Sequence, residues 1–337
     1  MTQPYSTVSW VHGIAVVVPC YKVTRHIFDV VTAIGPEVDV IYCVDDACPD
    51  DSGTFIEREI SDSRIRVLRH ASNLGVGGAV MTGYRQAVAD GARVIVKIDG
   101  DGQMDPALLP AFVAPILRGD ADYTKGNRFW DLRQINQMPL SRRLGNLGLS
   151  FMAKASTGYW NAFDSTNGYT AIHADIAANL PLESISQRYF FETDMLFRLN
   201  TLRAVVLDVP MDAKYGSEVS GLKTSRILGE FAFKHLRNFC KRIFYNYFLR
   251  DLPVASLELL LAIGLLGFGV AFGGWHWWLS STTGIEASTG TVMIPSLALV
   301  FGMQMALAFL SYDVANVPRL PLHPRLDHRL PQAGKSQ

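Results

Sequence analysis

The chain has 337 residues and a mass of 37.2 kDa, with 31 basic against 31 acidic residues and a pI near 7.1. That balance excludes a general nucleic-acid binder, which carries a basic surplus. With 49% apolar and 18% charged residues, global disorder is excluded as well. Cys20, Cys43, Cys48 and Cys240 are too few for a disulfide framework and lack zinc-finger spacing, so they read as reduced thiols.

The opening stretch MTQPYSTVSWVHG is polar and has neither region of a signal peptide. From Ile14 onward, short β-rich runs alternate with helical stretches. Residues 14–19, 38–44, 64–69 and 92–99 are predicted strands, and 24–34, 51–60 and 75–90 predicted helices. The alternation predicts an α/β fold, a mostly parallel sheet with helices on both faces. Ligands bind such sheets beyond the carboxyl ends of the strands. Polar clusters fall at those ends: PCYK, DDACPDD and DGDGQ.

Asp99 and Asp101 leave the sheet together after a hydrophobic strand. Two carboxylates spaced by glycine, with the Gln103 amide nearby, suit a hard divalent cation that also grips a diphosphate. Asp45, Asp46 and Asp50 close another strand and suit hydrogen bonds to a base and ribose. The glycine stretch NLGVGGAVMTG (73–83) raises a dinucleotide-binding alternative. However, Val80 stands where the last glycine of G-x-G-x-x-G belongs, and the stretch does not follow the first strand. Two acids flanking a glycine favour metal and diphosphate.

Composition shifts near residue 250. Val254–Trp278 carries a single charge, Glu258, and Val292–Tyr312 carries none. Each is long enough to cross a hydrocarbon core of roughly 30 Å as a helix. Trp275, Trp277 and Trp278 resemble an interfacial belt. Lys223, Arg226, Lys234, Arg237, Lys241, Arg242 and Arg250 precede the first span, and Arg319, Arg325, Arg329 and Lys335 follow the second. The loop between the spans has no Lys or Arg, so the positive-inside rule puts both termini in the cytoplasm. Mixed bases and apolar residues over 225–249 predict amphipathic helices on the membrane surface. Gly269 with Gly273, and Gly302 with Ala306, would join the hairpin or pair two protomers.

Taken in order, these motifs resemble a family 2 glycosyltransferase of the GT-A fold, in the branch of dolichyl-phosphate mannose synthases and bacterial polyprenyl-phosphate glycosyltransferases. The likeness runs through most of 14–224: VVVPCYK, CVDDACPDDSG, NLGVGGAVMTG, KIDGDGQMDP, GNRF, SRRLGN, FDSTNGY, FFETDM and KYGSEVSGLK. It implies a cytosolic GT-A domain over 1–224, amphipathic juxtamembrane helices over 225–252, a transmembrane hairpin over 253–314 and a cytosolic tail over 315–337. A bacterial inner membrane is the implied location.

The resemblance implies that Pro19, Tyr21, Asp46, Asp99, Asp101 and Gln103 bind the donor, a UDP- or GDP-sugar. Lys214 and Lys223 would close over it. Mg²⁺ or Mn²⁺ would sit on Asp99, Asp101 and Gln103. Arg128 and Arg143 would take the phosphate of a polyprenyl (undecaprenyl) phosphate acceptor, with inversion at the anomeric carbon. Asp101 would act through the metal, and Asp164 and Asp194 would orient sugar or acceptor, or serve as base if the acceptor is a hydroxyl. Lys125 and Arg188 read as surface charges. The alternatives are extension of a lipid-linked saccharide or polysaccharide at a hydroxyl group, and a non-catalytic membrane scaffold.

Overall fold

The computed structural model describes residues 13–130, 140–212 and 224–326. They form two compact units, one within Met1–Asn238 and Pro318–Gln337, the other Phe239–Val317.

The first unit is built on a sheet. Strands β1 (Ile14–Cys20) and β4 (Val94–Lys97) are almost wholly buried along their length. That is the signature of a sheet covered on both faces, where every residue rather than every second one is apolar. With β2 (Val40–Asp45), β3 (Ile65–Arg69), β5 (Tyr123–Asn127), β6 (Thr170–His173) and β7 (Val206–Pro210), the described residues give the order β3-β2-β1-β4-β6-β5-β7. Strand β6 runs antiparallel to β4 and β5, while the other pairs are parallel. The reversal matters for function. It brings the loop that precedes β6, with Asp164 and Gly168, to the edge where β1, β2, β4 and β5 end.

Helices α1 (Ile27–Thr32), α2 (Ser52–Glu59), α3 (Val76–Ala89) and α4 (Leu109–Leu117) connect the early strands. After β5 come α5 (Leu140–Thr157), then α6 (Ala174–Ala178) following β6, and α7 (Phe191–Leu202) before β7. Ile27, Val31, Phe112 and Ile116 pack into one core with the strand residues. Phe112 stacks on Tyr169 at 4.0 Å between centroids.

The chain after the second apolar helix is not a separate tail as far as it is described. Asp122, just before β5, accepts hydrogen bonds from the backbone N–H groups of Val205 (2.7 Å), Leu322 (2.8 Å) and His323 (2.8 Å). The His323 ring also bonds Asp122, at 2.8 Å, and stacks on His173. A buried carboxylate thereby satisfies three backbone donors and the His323 ring, and fixes the returning chain to the first unit.

Helix α8 (Thr224–Phe244) is a single helix, followed by a wide-turn segment, Tyr245–Arg250. Its faces are mixed: His235, Asn238, Arg242 and Ile243 are buried, while Phe233, Leu236 and Phe244 are exposed together with Arg237 and Lys241. In the second unit, α9 (Val254–Thr283, 30 residues) and α10 (Thr289–Ala315, 27 residues) are strongly apolar. Both are long and apolar enough to cross a membrane. A Cβ on Gly269 would lie 2.7 Å from Leu299 Cγ, and one on Gly302 would lie 2.9 Å from Leu266 Cγ. These glycines therefore serve the contact within the hairpin, where small residues admit close approach. Arg242 binds Asp313 through Nη1–Oδ1 (2.6 Å) and Nη2–Oδ2 (2.9 Å), both side chains buried.

Candidate active site

Strand β4 supplies the centre of the site. Its last residue, Lys97, has a side chain only 1% exposed, with Nζ 2.8 Å from Asp99 Oδ1 and 3.7 Å from Glu192 Oε1. Burial opposes the charge on Lys97, but Asp99 and Glu192 outweigh it and hold its pKa above the ordinary lysine value. Burial pushes the Glu192 carboxyl above the ordinary carboxylate range, against the pull of Lys97. Gly168 completes the packing: a Cβ there would sit 2.7 Å from Asp99 Oδ2.

Two cavities meet at this point. A cleft of about 690 Å³ is lined by Pro19, Tyr21, Asp46, Gly75, Arg188 and others. A smaller cavity of about 130 Å³ includes Gln103, Arg128, Thr166 and Gly168. Among the described residues, Asp99, Asp101 and Glu192 line both. Pro19 and Tyr21 thus stand on the cleft wall, as does Arg188, expected as an ordinary surface charge.

Asp46 also borders the cleft but offers it little surface, being 2% exposed. Its Oδ1 accepts from Leu74 N (2.8 Å) and pairs with His70 Nδ1 (2.7 Å), and its Oδ2 accepts from Gly75 N (2.7 Å). His70 Nε2 in turn meets Thr82 Oγ1 at 2.9 Å. Asp46 shapes the cleft wall through these bonds while lining the cleft itself. Asp45 likewise turns inward, accepting from Cys48 N and Gly53 N, and Asp50 is exposed outside the cleft lining. The glycines at the start of α3 are a packing device. A Cβ on Gly75 would lie 2.6 Å from Gln187 O, and Gly77 N donates to that same carbonyl at 2.9 Å.

Arg128 follows β5 and grips Asp164, with Nε–Oδ2 at 2.7 Å and Nη2–Oδ1 at 2.8 Å. Asn167 Nδ2 also donates to Asp164 Oδ2, at 3.1 Å. Lys125 is buried rather than exposed. Its ammonium donates to Phe163 O and pairs with Asp208 at 3.1 Å, while Asp208 accepts from Phe163 N at 2.8 Å. Burial lowers the Lys125 pKa despite Asp208. The pair ties the loop carrying Asp164 to the β5–β7 edge. Beside it lies a predominantly apolar pocket of about 230 Å³, lined by Phe129, Leu147, Ala153, Tyr159 and Leu196 and bounded by Asp164 and Thr166.

Asp194 does not join these groups. Its Oδ2 accepts from Ser186 N and its Oδ1 from Asn238 Nδ2, both at 2.9 Å, and its side chain is buried. It braces α7 against α8 and lines none of the three cavities. The acid that faces the cavities is Glu192, two residues earlier. Lys214 and Lys223 lie outside the described residues, as does the side chain of Arg143. Among the described residues, no three His, Cys, Asp or Glu side chains form a ready metal cage. Asp99 and Asp101 with Gln103 still fit Mg²⁺ or Mn²⁺, because Mg²⁺ is commonly held by one or two carboxylates plus substrate phosphates.

The family model Glycosyl transferase family 2 matches residues 15–180. An undecaprenyl-phosphate mannosyltransferase of Micrococcus luteus is 33% identical over 178 residues, covering 52% of this chain and 72% of that protein. The chain belongs to glycosyl transferase family 2. A UDP-N-acetylglucosamine–dolichyl-phosphate N-acetylglucosaminyltransferase of Methanococcus voltae is 27% identical over 230 residues, 64% of this chain and 91% of that one. Among solved structures, glucosyl-3-phosphoglycerate synthase of Mycobacterium tuberculosis, in complex with UDP, aligns with a TM-score of 0.53 and 18% identity. It covers 72% of this chain and 86% of its own, and at that identity it shows the shared GT-A fold. Within this family 2 enzyme, sequence reasoning missed Glu192, Lys97 and His70. A lysine inside the apolar run ARVIVKID was the signal for Lys97.

Proposed function

We propose that the chain moves a sugar from a nucleoside diphosphate sugar to a polyprenyl phosphate such as undecaprenyl phosphate, giving a lipid-linked sugar. The observation that carries this reading is the Arg128–Asp164 pair. It stands between the cavity holding Asp99 and Asp101 and the apolar pocket under Phe129, a pairing suited to an acceptor with an anionic head and a greasy stem. The names of the Micrococcus and Methanococcus relatives support it, as do the two apolar helices. The Lys and Arg asymmetry around those helices supports a cytoplasmic catalytic unit, at the inner membrane of a bacterium.

In this reading Pro19 and Tyr21 flank the nucleotide in the larger cleft. Asp99, Asp101 and Gln103 would hold Mg²⁺ or Mn²⁺, which when bound supplies charge neutralisation at the leaving diphosphate. The acceptor phosphate is already ionised near neutral pH, so the protein must position it and compensate its charge, with no proton to remove. Asp164 fixes the plane of the Arg128 guanidinium in advance, which lowers the ordering needed when a phosphate arrives. Arg143 would add a second cation, and Lys214 and Lys223 would cover the donor. Attack from the side opposite the diphosphate inverts the anomeric carbon.

The test is transfer by the full-length protein in detergent micelles with undecaprenyl phosphate, Mg²⁺ and a panel of radiolabelled UDP- and GDP-sugars. Expected is an organic-soluble product that releases its sugar in mild acid, as an anomeric phosphodiester does. Transfer only to a saccharide hydroxyl would overturn the phosphate acceptor.

A further inference from the structure

Glu192 has no assigned role, yet it occupies the junction of the two cavities. It sits in the first turn of α7, where a helix N-terminus favours an acid. Its side chain is 15% exposed, and its Lys97 partner lies 3.7 Å away, beyond direct hydrogen-bond reach. Lys97 Nζ, close against Asp99, has no well-aligned hydrogen-bond acceptor. A carboxylate and a buried ammonium thus meet at the junction of the cleft with the cavity that holds Arg128.

Resting on the donor reading above, we infer that Glu192 is the residue that recognises the transferred sugar, accepting hydrogen bonds from its ring hydroxyls, with Lys97 as the positioning residue that holds the carboxylate toward the junction. The chemistry favours this over a diphosphate contact. A carboxylate repels an unneutralised phosphate oxygen, whereas paired sugar hydroxyls offer donors that a carboxylate accepts in charge-assisted geometry. Gly168 lies directly against Lys97 and Asp99, where a Cβ would sit 2.7 Å from Asp99 Oδ2, so its missing side chain leaves the pair room to pack.

The experiment compares binding of the nucleoside diphosphate alone with binding of the matching nucleotide sugar, by calorimetry on the full-length detergent-solubilised protein with Mg²⁺. UDP and GDP are used as probes, with UDP-glucose, UDP-N-acetylglucosamine and GDP-mannose as the sugars. Expected is that wild type binds one nucleotide sugar more tightly than its nucleoside diphosphate. Glu192→Gln should reduce that increment about tenfold or more while leaving the nucleoside diphosphate affinity within about twofold. Lys97→Met should reduce the increment less than Glu192→Gln. An equal loss for nucleotide and nucleotide sugar would make Glu192 part of the diphosphate site and overturn the inference. So would an unchanged increment, or a Glu192→Gln protein that does not fold, which would make it a structural counter-ion. Failure of wild type to bind any of these nucleotides would sink the donor reading itself. Donor binding without transfer to lipid would sink only the acceptor reading.

Discussion

Arg128 and Asp164 meet in two parallel hydrogen bonds, 2.7 and 2.8 Å long, across the wall between the polar cavity and the apolar pocket. Burial by itself would raise the Asp164 carboxyl, but the guanidinium more than offsets it and holds the group below the usual carboxylate range. A carboxylate so held is a poor proton acceptor. Asp164→Asn should therefore act through Arg128, raising the KM for undecaprenyl phosphate about ten- to a hundredfold. The pH–rate profile should keep its shape. Loss of an ionisation limb, with kcat down about a hundred- to ten-thousandfold, would instead identify a base and a hydroxyl acceptor.

Asp99 faces the Lys97 ammonium at 2.8 Å, and Asp101 lines both cavities beside it. Asp101→Asn should weaken the Mg²⁺-dependent part of nucleotide binding about tenfold or more, since a ligand carboxylate becomes a neutral amide. Binding measured in EDTA should hardly change. Asp105→Asn is the control, because Asp105 caps the turn at Ala107 and lies outside the cavity lining. Equal loss with and without metal in the Asp101 variant would remove it from the metal site.

Asp194 yields a prediction of the opposite kind. Its carboxylate satisfies Ser186 N and the Asn238 amide inside the first unit. Asp194→Ala should lower stability by about 1–3 kcal/mol, the cost of leaving buried donors unmet. Activity per folded molecule should stay near wild type, read as turnover normalised to the folded fraction from thermal melting. A variant that melts normally but does not turn over would return Asp194 to the chemistry.

The ends of β1, β2 and β4 were legible because apolar β-branched runs stop at polar clusters, a signal local to the sequence. Asp99, Asp101 and Tyr21 accordingly lie at one edge, and Arg128, which only the family resemblance singled out, lies there too. What stayed hidden depends on distant partners. The bonds that Asp46 accepts from the backbone of Leu74 and Gly75 have no signal near it in the sequence. Nothing near Asp194 in sequence announces Asn238, 44 residues away. Asp122 captures His323 across 201 residues, so a segment that reads as a loose basic tail is packed. Choosing between Glu192 and Asp194 required knowing which face of α7 meets the cavity, and two residues of helix turn that direction by about 200°.

His235 should contribute to the dependence of stability on pH. It is buried in α8 at 4% exposure, with its Nδ1 2.8 Å from Ser156 Oγ and the Phe190 ring edge-on to it. Burial depresses its pKa from 6.5 to about 4. Between those values the unfolded chain binds a proton that the folded chain does not, so stability rises with pH across this window. The full contribution is present above pH 6.5 and fades as pH falls toward 4. By linkage it is worth roughly 3 kcal/mol, taking about 1.4 kcal/mol per pKa unit. The thermal midpoint of the detergent-solubilised protein should fall between pH 7 and pH 4.5, and His235→Gln should flatten that decline, because an amide keeps a polar partner for Ser156 without titrating. The comparison is the difference in midpoint between the two pH values for each protein. An equal decline in wild type and His235→Gln would assign the acid sensitivity to other groups.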